Sequence, residues 1–227
     1  MTSEAATKIA KAPYKRIATE EAWAMRDIID RYLKLVDDGS LKDPAFESLW
    51  KHYGRGRSER STQVLNRLLD LGEQRIADMD AAGIDMQLLL MTAPGVQVFD
   101  APIAVQLAAA SNDYMAEAIR RHPDRFAGLA TVAPQDPPAA AKELERGVKK
   151  LGLKGAVINS HTRGEFLNDR KFWEIFEAAE ALDVPVYIHP SGPPPAMAQP
   201  FIERGLDGAI YGFAVECGLH LLTIITS

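Results

Sequence analysis

Cysteine is almost missing from this chain. Cys217 is the single one in 227 residues, which excludes an internal disulfide framework and fits a reducing compartment. No run approaches the ~18 consecutive apolar residues of a membrane span. Residues 1–11 are small, polar and charged, without the apolar stretch of a signal peptide. No GxGxxG or P-loop follows the first predicted strand, so the usual nucleotide-cradling loops are excluded. Lysine and arginine form no stripe, and the net charge of −5 is spread over mixed signs, which argues against a nucleic-acid footprint. The expectation is a cytoplasmic protein that binds neither nucleic acid nor membrane.

What is present is a repeating alternation. Short β-rich runs occur at residues 16–19 (RIAT), 84–91 (IDMQLLLM), 126–132 (FAGLATV), 154–159 (KGAVIN) and 184–189 (VPVYIH). They are nearly continuous in apolar side chains, the pattern of strands covered on both faces in a parallel sheet. Helical spacing fills the intervals at 62–82, 102–121, 137–151 and 170–182, with Gly83 and Gly152 as stops and prolines opening the third. Five β-then-α units predict a parallel α/β fold. Polar residues gather just after the strands: Glu20 and Glu21, Thr92, Gln135 and Asp136, Asn159 and His161, and His189. In a closed barrel such positions converge on one rim, where catalytic groups sit, so a (β/α)8 TIM barrel is preferred over an open sheet. A full barrel needs about 250 residues, and the fifth strand ends only near residue 189. The predicted organisation is therefore a flexible tail at 1–13 and a partial barrel domain at 14–227 with five to six units. A final helical segment at 212–227 ends on an apolar run.

Several of these polar residues suit metal or acid–base chemistry. His189 closes an apolar strand and precedes Pro190, which forces an extended exit. Neutral imidazole there is a ligand for divalent metals, or else merely bonds a loop. Adjacent strand residues point to opposite faces, so one of Glu20 and Glu21 at most faces the barrel axis. A carboxylate and an imidazole on one rim suit Mn or Zn. Asn159 is read as orienting a ligand or substrate and His161 as a rim acid or base, while Asn and Ser are also ordinary turn formers. Arg60 lies in the polar run 53–62 with Arg55 and Arg57. Guanidinium forks bind carboxylates, though most such charges are simply solvated. His220, between Leu219 and Leu221, reads as a packing residue.

The strings RIATEEA (16–22), GLATVAPQDP (128–137), KGAVINSHT (154–162), YIHP (187–190) and LDGAIYGFAVE (206–216) occur in order along the chain. Together they resemble the aminocarboxymuconate-semialdehyde decarboxylase-like amidohydrolases, and within them the branch acting on hydroxylated benzoates. The resemblance implies a barrel holding one Mn or Zn, and a non-oxidative decarboxylase of hydroxylated aromatic acids of the 5-carboxyvanillate or dihydroxybenzoate type. The wider superfamily's His-x-His falls on Glu20 and Ala22, and the benzoate decarboxylases carry Glu at the first place. Glu20 and His189 are thus implied as metal ligands, Asn159 and His161 as the strand-four turn, and Arg60 and Phe213 as substrate contacts. No bridging lysine or glutamate is matched, which implies a mononuclear site.

The family's His-Met-Gly-Glu motif, a later arginine and a strand-eight Asp-Tyr-Pro run have no counterpart in these 227 residues. A C-terminally truncated barrel is expected on that ground, lacking the aspartate that the resemblance makes the third ligand and proton donor. The expected partners are a small aromatic carboxylic acid and further copies of the chain as a homo-oligomer. Two competing readings are a metal-dependent hydrolase and a catalytically inactive barrel acting as a binding or oligomerisation module.

Overall fold

The computed structural model describes residues 13–56, 58–206 and 209–227, so nearly all of the expected tail, and Arg57, lie outside the described residues. Strand β1 (Ile17–Trp23) is followed by four helices, α1 (Arg26–Asp38), α2 (Pro44–Arg55), α3 (Glu59–Leu69) and α4 (Glu73–Ala82). Then come β2 (Met86–Met91), α5 (Ala101–Arg121), β3 (Phe126–Gly128), β4 (Ala130–Thr131), α6 (Pro137–Leu151) and β5 (Ala156–Ile158). The described chain closes with α7 (Trp173–Ala181), β6 (Val186–Ile188), α8 (Pro195–Ile202) and α9 (Ala209–Ile225).

Every strand pairing is parallel. β1, β2 and β3 form one ladder and β4, β5 and β6 a second. Leu129 joins the two, its N–H donating to Leu89 while that of Ala130 donates to Gly155. The third predicted strand is thus one strand that changes partner midway. The result is a five-position arc of parallel strands with helices between them, a partial (β/α)8 barrel.

Two cores follow from the alternation of side chains across the sheet. The larger lies between strands and helices and includes Trp23, Leu89, Met91, Phe126, Ala156 and Ile158. The smaller lies on the concave side: Leu90, Leu129 and Val157, with Leu88 and Tyr187 against them. That concave side is the barrel interior.

Three expectations change in detail. The strand at 16–19 continues to Trp23, because Glu21, Ala22 and Trp23 go on pairing with Leu89, Leu90 and Met91 of β2 after a register shift between Ala18 and Glu21. The helix predicted over 62–82 is broken between α3 and α4. Asp70 accepts there from the Gly72 and Arg75 amides, offering the backbone a local alternative to helix. Helices α1 and α2 were not foreseen. Yet α1 buries Ile28, Ile29, Tyr32 and Leu33 on one face, and α2 has Asp43 capping the Phe46 amide ahead of Pro44 at its first turn.

β4 is only two residues long, and a buried amide holds it. Asn112 on α5 donates to the Thr131 carbonyl at 2.9 Å and to Glu143 of α6 at 2.7 Å, and accepts from the Thr131 N–H at 2.8 Å. Substituting Asn112→Ala leaves both Thr131 backbone groups buried without partners. Urea denaturation of N112A should therefore show a loss of about 2–4 kcal/mol. A loss below about 1 kcal/mol would show that β4 does not depend on this side chain.

Candidate metal centre and adjoining cavity

The period of β1 separates the two glutamates. Glu21 lies on the helix-facing side, where it accepts from Gln87 Nε2 at 2.8 Å. Burial raises the Glu21 pKa, and the nearby Arg75 guanidinium opposes that rise. Arg75 is itself buried and donates to the carbonyls of Asp70, Ala22 and Arg67 at 2.7, 2.9 and 2.8 Å, and to Gln87. Glu20 lies on the concave side. One carboxylate oxygen accepts from the Tyr187 hydroxyl, and the other stands 3.5 Å from His189 Nε2.

The His189 N–H donates to the Ile158 carbonyl at 2.9 Å, which locks the exit of β6 to β5. Burial holds the His189 imidazole below its ordinary range, while the Glu20 carboxylate pulls it up. Its Nδ1 is buried, with no hydrogen-bond partner among the described residues. The Nε2 that faces the carboxylate is an N–H donor in one neutral tautomer and a lone pair in the other, and the second leaves a place for a cation between the two groups. An imidazole nitrogen and a carboxylate oxygen fit a divalent cation as two of its donors. Among the described residues no group of three or more His, Cys, Asp or Glu side chains is placed to hold a metal.

A cavity of about 210 Å³ lies beside the loops that follow β5 and β6, and neither Glu20 nor His189 is in its lining. Phe46, Pro94, Gln97, His161, Gly192 and Phe213 are among its walls. His161 Nδ1 accepts from the Gly164 N–H at 3.1 Å, so Nε2 carries the proton and donates to the Gly192 carbonyl at 3.0 Å. Both nitrogens are engaged by backbone, and burial lowers the His161 pKa. Asn159 sits behind this wall. Its N–H donates to Gln97 Oε1 at 2.6 Å, and its own Oδ1 is buried without a partner among the described residues. Phe213, half-buried on α9, reaches the cavity. Arg60 is exposed in the first turn of α3 and lies outside the cavity lining. The structure thus brings Glu20 to His189, and His161 to Phe213, and leaves both Arg60 and the Glu20–His189 pair outside the lining of the cavity.

Sequence reasoning missed a third group. Ser160 donates to Glu216 Oε1 and is 2.8 Å from His220 Nδ1, while His220 Nε2 accepts from the Leu167 N–H at 2.8 Å. Ser160, Glu216 and His220 are all fully buried. His220 is therefore not a packing residue: it is bonded at both nitrogens and stacks on Phe166 at 4.5 Å. Its signal was a Glu and a His four residues apart on an apolar helix, which places both on one face. Gln97 was missed as well. Its amide donates to the carbonyls of Ser160 and His161 and to the Thr162 hydroxyl, and so holds the loop after β5.

Burial pushes the Glu216 carboxyl up to about 7, although the Ser160 hydroxyl and the Ser191 and His161 amides pull it down. A raised carboxyl pKa means the folded state keeps its proton while the unfolded chain, near 4.5, has released it. Stability should therefore fall as pH rises from about 4.5 to about 7, and this contribution should flatten above that. Burial lowers the His220 imidazole to about 4, which adds a rise with pH below its ordinary value, and both proteins of the comparison share it. Urea denaturation of wild type and E216Q from pH 5 to 8 should give a difference that changes by on the order of 3 kcal/mol. A difference independent of pH would show that Glu216 does not titrate in this range.

Comparison with known proteins places the fold in a family. The amidohydrolase family model (Amidohydro_2) matches residues 65–222. Gamma-resorcylate decarboxylase from Polaromonas sp. is 36% identical over 173 residues, covering 73% of this chain and 53% of its own length. 5-Carboxyvanillate decarboxylase from Novosphingobium aromaticivorans, solved with manganese and 4-hydroxy-3-methoxy-5-nitrobenzoic acid, superimposes with a TM-score of 0.91 at 54% identity, covering 94% of this chain and 61% of that one. Dihydroxybenzoic acid decarboxylase from Polaromonas sp., with manganese and 2-nitroresorcinol, gives 0.76 at 31% identity, covering 94% and 60%. The chain spans about half the length of the curated relatives it matches. Among its described residues no helix is long and apolar enough to cross a membrane. On the family model and these likenesses together, the chain belongs to the amidohydrolase family.

Proposed function

We propose that Glu20 and His189 are two protein ligands of one divalent ion, Mn or Zn, in an enzyme that removes CO2 without oxidation from a hydroxylated aromatic acid of the 5-carboxyvanillate or dihydroxybenzoate type. The carrying observation is the convergence of Glu20 and His189 at 3.5 Å on the concave side of the barrel strands. The named activities and bound manganese of the similar proteins support the reading.

The chemistry asks for a proton before it asks for bond cleavage. Direct loss of CO2 would leave an unstabilised aryl anion, whereas protonation of the carboxylate-bearing ring carbon, beside a hydroxyl, would give a dienone-like species that releases CO2 as the C–C electron pair restores the ring. The resemblance gives the donor of that proton as an aspartate with no counterpart in these 227 residues. A bound divalent ion supplies Lewis-acid stabilisation of the phenolate and carboxylate oxygens. The chain's own residues prepare the site for it. Tyr187 engages one oxygen of Glu20 and leaves the other directed at His189. Burial favours the neutral imidazole of His189, the form that binds metal, against the pull of Glu20. Phe46, Pro94 and Phe213 offer apolar walls that accept a ring and exclude water.

In this reading His161 and Asn159 complete the catalytic surroundings, His161 holding its proton at Nε2 and Asn159 orienting the ligand. Arg60, exposed on α3 outside the cavity lining, is assigned to the substrate carboxylate on the family resemblance, and its guanidinium fork would have to turn inward to meet it. The reading includes a homo-oligomer in the cytoplasm.

Manganese titration of the chain, read by electron paramagnetic resonance, tests the centre. H189A and E20Q should weaken binding by more than the ~10–100-fold that losing an outer partner costs, and Y187F by about that range. Unchanged manganese affinity in H189A would sink the proposal.

A further inference from the structure

Three residues of α9 lie on successive turns of one face: Phe213 at the cavity, then Glu216, then His220. The bond directions among their partners are fixed by one group that can only donate, the Leu167 N–H. It bonds His220 Nε2, so the proton of the neutral imidazole is on Nδ1, which donates to Ser160 Oγ. With Glu216 ionised, the Ser160 hydroxyl is left to donate to its carboxylate. The imidazole is a donor to Ser160 and not its base, so the arrangement is not a nucleophilic Ser–His pair. The other Glu216 oxygen accepts from the Ser191 N–H at 3.4 Å.

This chain of bonds meets both strand-end loops. Ser160 belongs to the loop after β5 and has a left-handed backbone, with φ 52°. Gln97 grips the same loop from the opposite side. Ser191 belongs to the loop after β6. The next residue along each loop, His161 and Gly192, lines the cavity, and the two are bonded to each other. One helix therefore supplies Phe213 as one wall and, through Glu216 and His220, determines where the other two stand.

We propose that Glu216, Ser160 and His220 are positioning residues that set the spacing of the Phe213, His161 and Gly192 walls, and thereby the fit of the aromatic ring in the cavity. The inference rests on the functional reading above for the identity of the ring. It does not rest on that reading for the coupling of the two loops to α9.

The test uses the full chain, with E216Q and S160A singly and together. Amide hydrogen exchange is followed in residues 159–164 and 190–193 and, as a control, in β2. Binding of 4-hydroxy-3-methoxy-5-nitrobenzoic acid is read from the absorbance of its nitrophenol, and manganese is titrated alone. Each variant should speed exchange in both loops and leave β2 unchanged. Each should weaken the analogue by on the order of tenfold or more, the scale of a small misplacement, with manganese affinity held within about twofold. The double variant should be little worse than the worse single one, because both break one chain of bonds. Unaltered exchange in the two loops would overturn the inference. So would faster exchange with analogue affinity unaltered, which would make the network structural only. If the wild type binds manganese and not the analogue, the functional reading fails, and loop exchange alone decides whether α9 sets the walls.

Discussion

The contact on which the rest depends is that of Glu20 with His189. A carboxylate from the first strand and an imidazole from the last described strand stand 3.5 Å apart although 169 positions separate them in the chain. Only a parallel arrangement achieves this simply, because parallel strands present the same end of each strand to the same side. The alternation of β1 then selects which glutamate takes part. Glu20 faces Tyr187 and His189, and Glu21 faces Gln87 and Arg75. A shift of one residue in β1 would exchange the two and place the wrong carboxylate inside.

Buried polar groups do much of the remaining work at the ends of strands. Arg75 ties the β1 carbonyl of Ala22 to the segment before α4, Asn112 ties β4 to two helices, and Gln97 and Glu216 hold the loop after β5 from two sides. Each is a planar or forked group with several donors or acceptors, able to satisfy neighbouring backbone groups at once. In a dry interior such networks define one arrangement well when complete, and each lost member leaves a costly orphan. This explains why the cavity walls, built from irregular loops, are nevertheless specified. His161, with both nitrogens bonded to backbone, is itself part of that framework.

Much of the architecture was legible in the sequence because its signals are local. Apolar runs marked all five strand positions, and helix stops such as Gly83 and Gly152 fall where the left-handed caps occur. The ordered strings shared with the family carried Glu20 and His189 as a pair. What was not legible was non-local. The extension of β1 through two glutamates depends on pairing with β2, and the break before α4 depends on which backbone amides Asp70 reaches. The α1 and α2 helices had amphipathic and capping signals, yet they interrupt the expected step from first strand to second.

By itself, the order of residues determined a parallel α/β alternation, the strands that build it and the residue types at their ends, because hydrophobic period and chain punctuation act over a few residues. Tertiary structure alone decided which of two adjacent glutamates turns inward, that His220 is a hydrogen-bonded member of a buried chain, and that Arg60 lies apart from the cavity. Those outcomes depend on distances between residues far apart along the chain. Periodicity carries no record of such distances, and only the packed fold sets them.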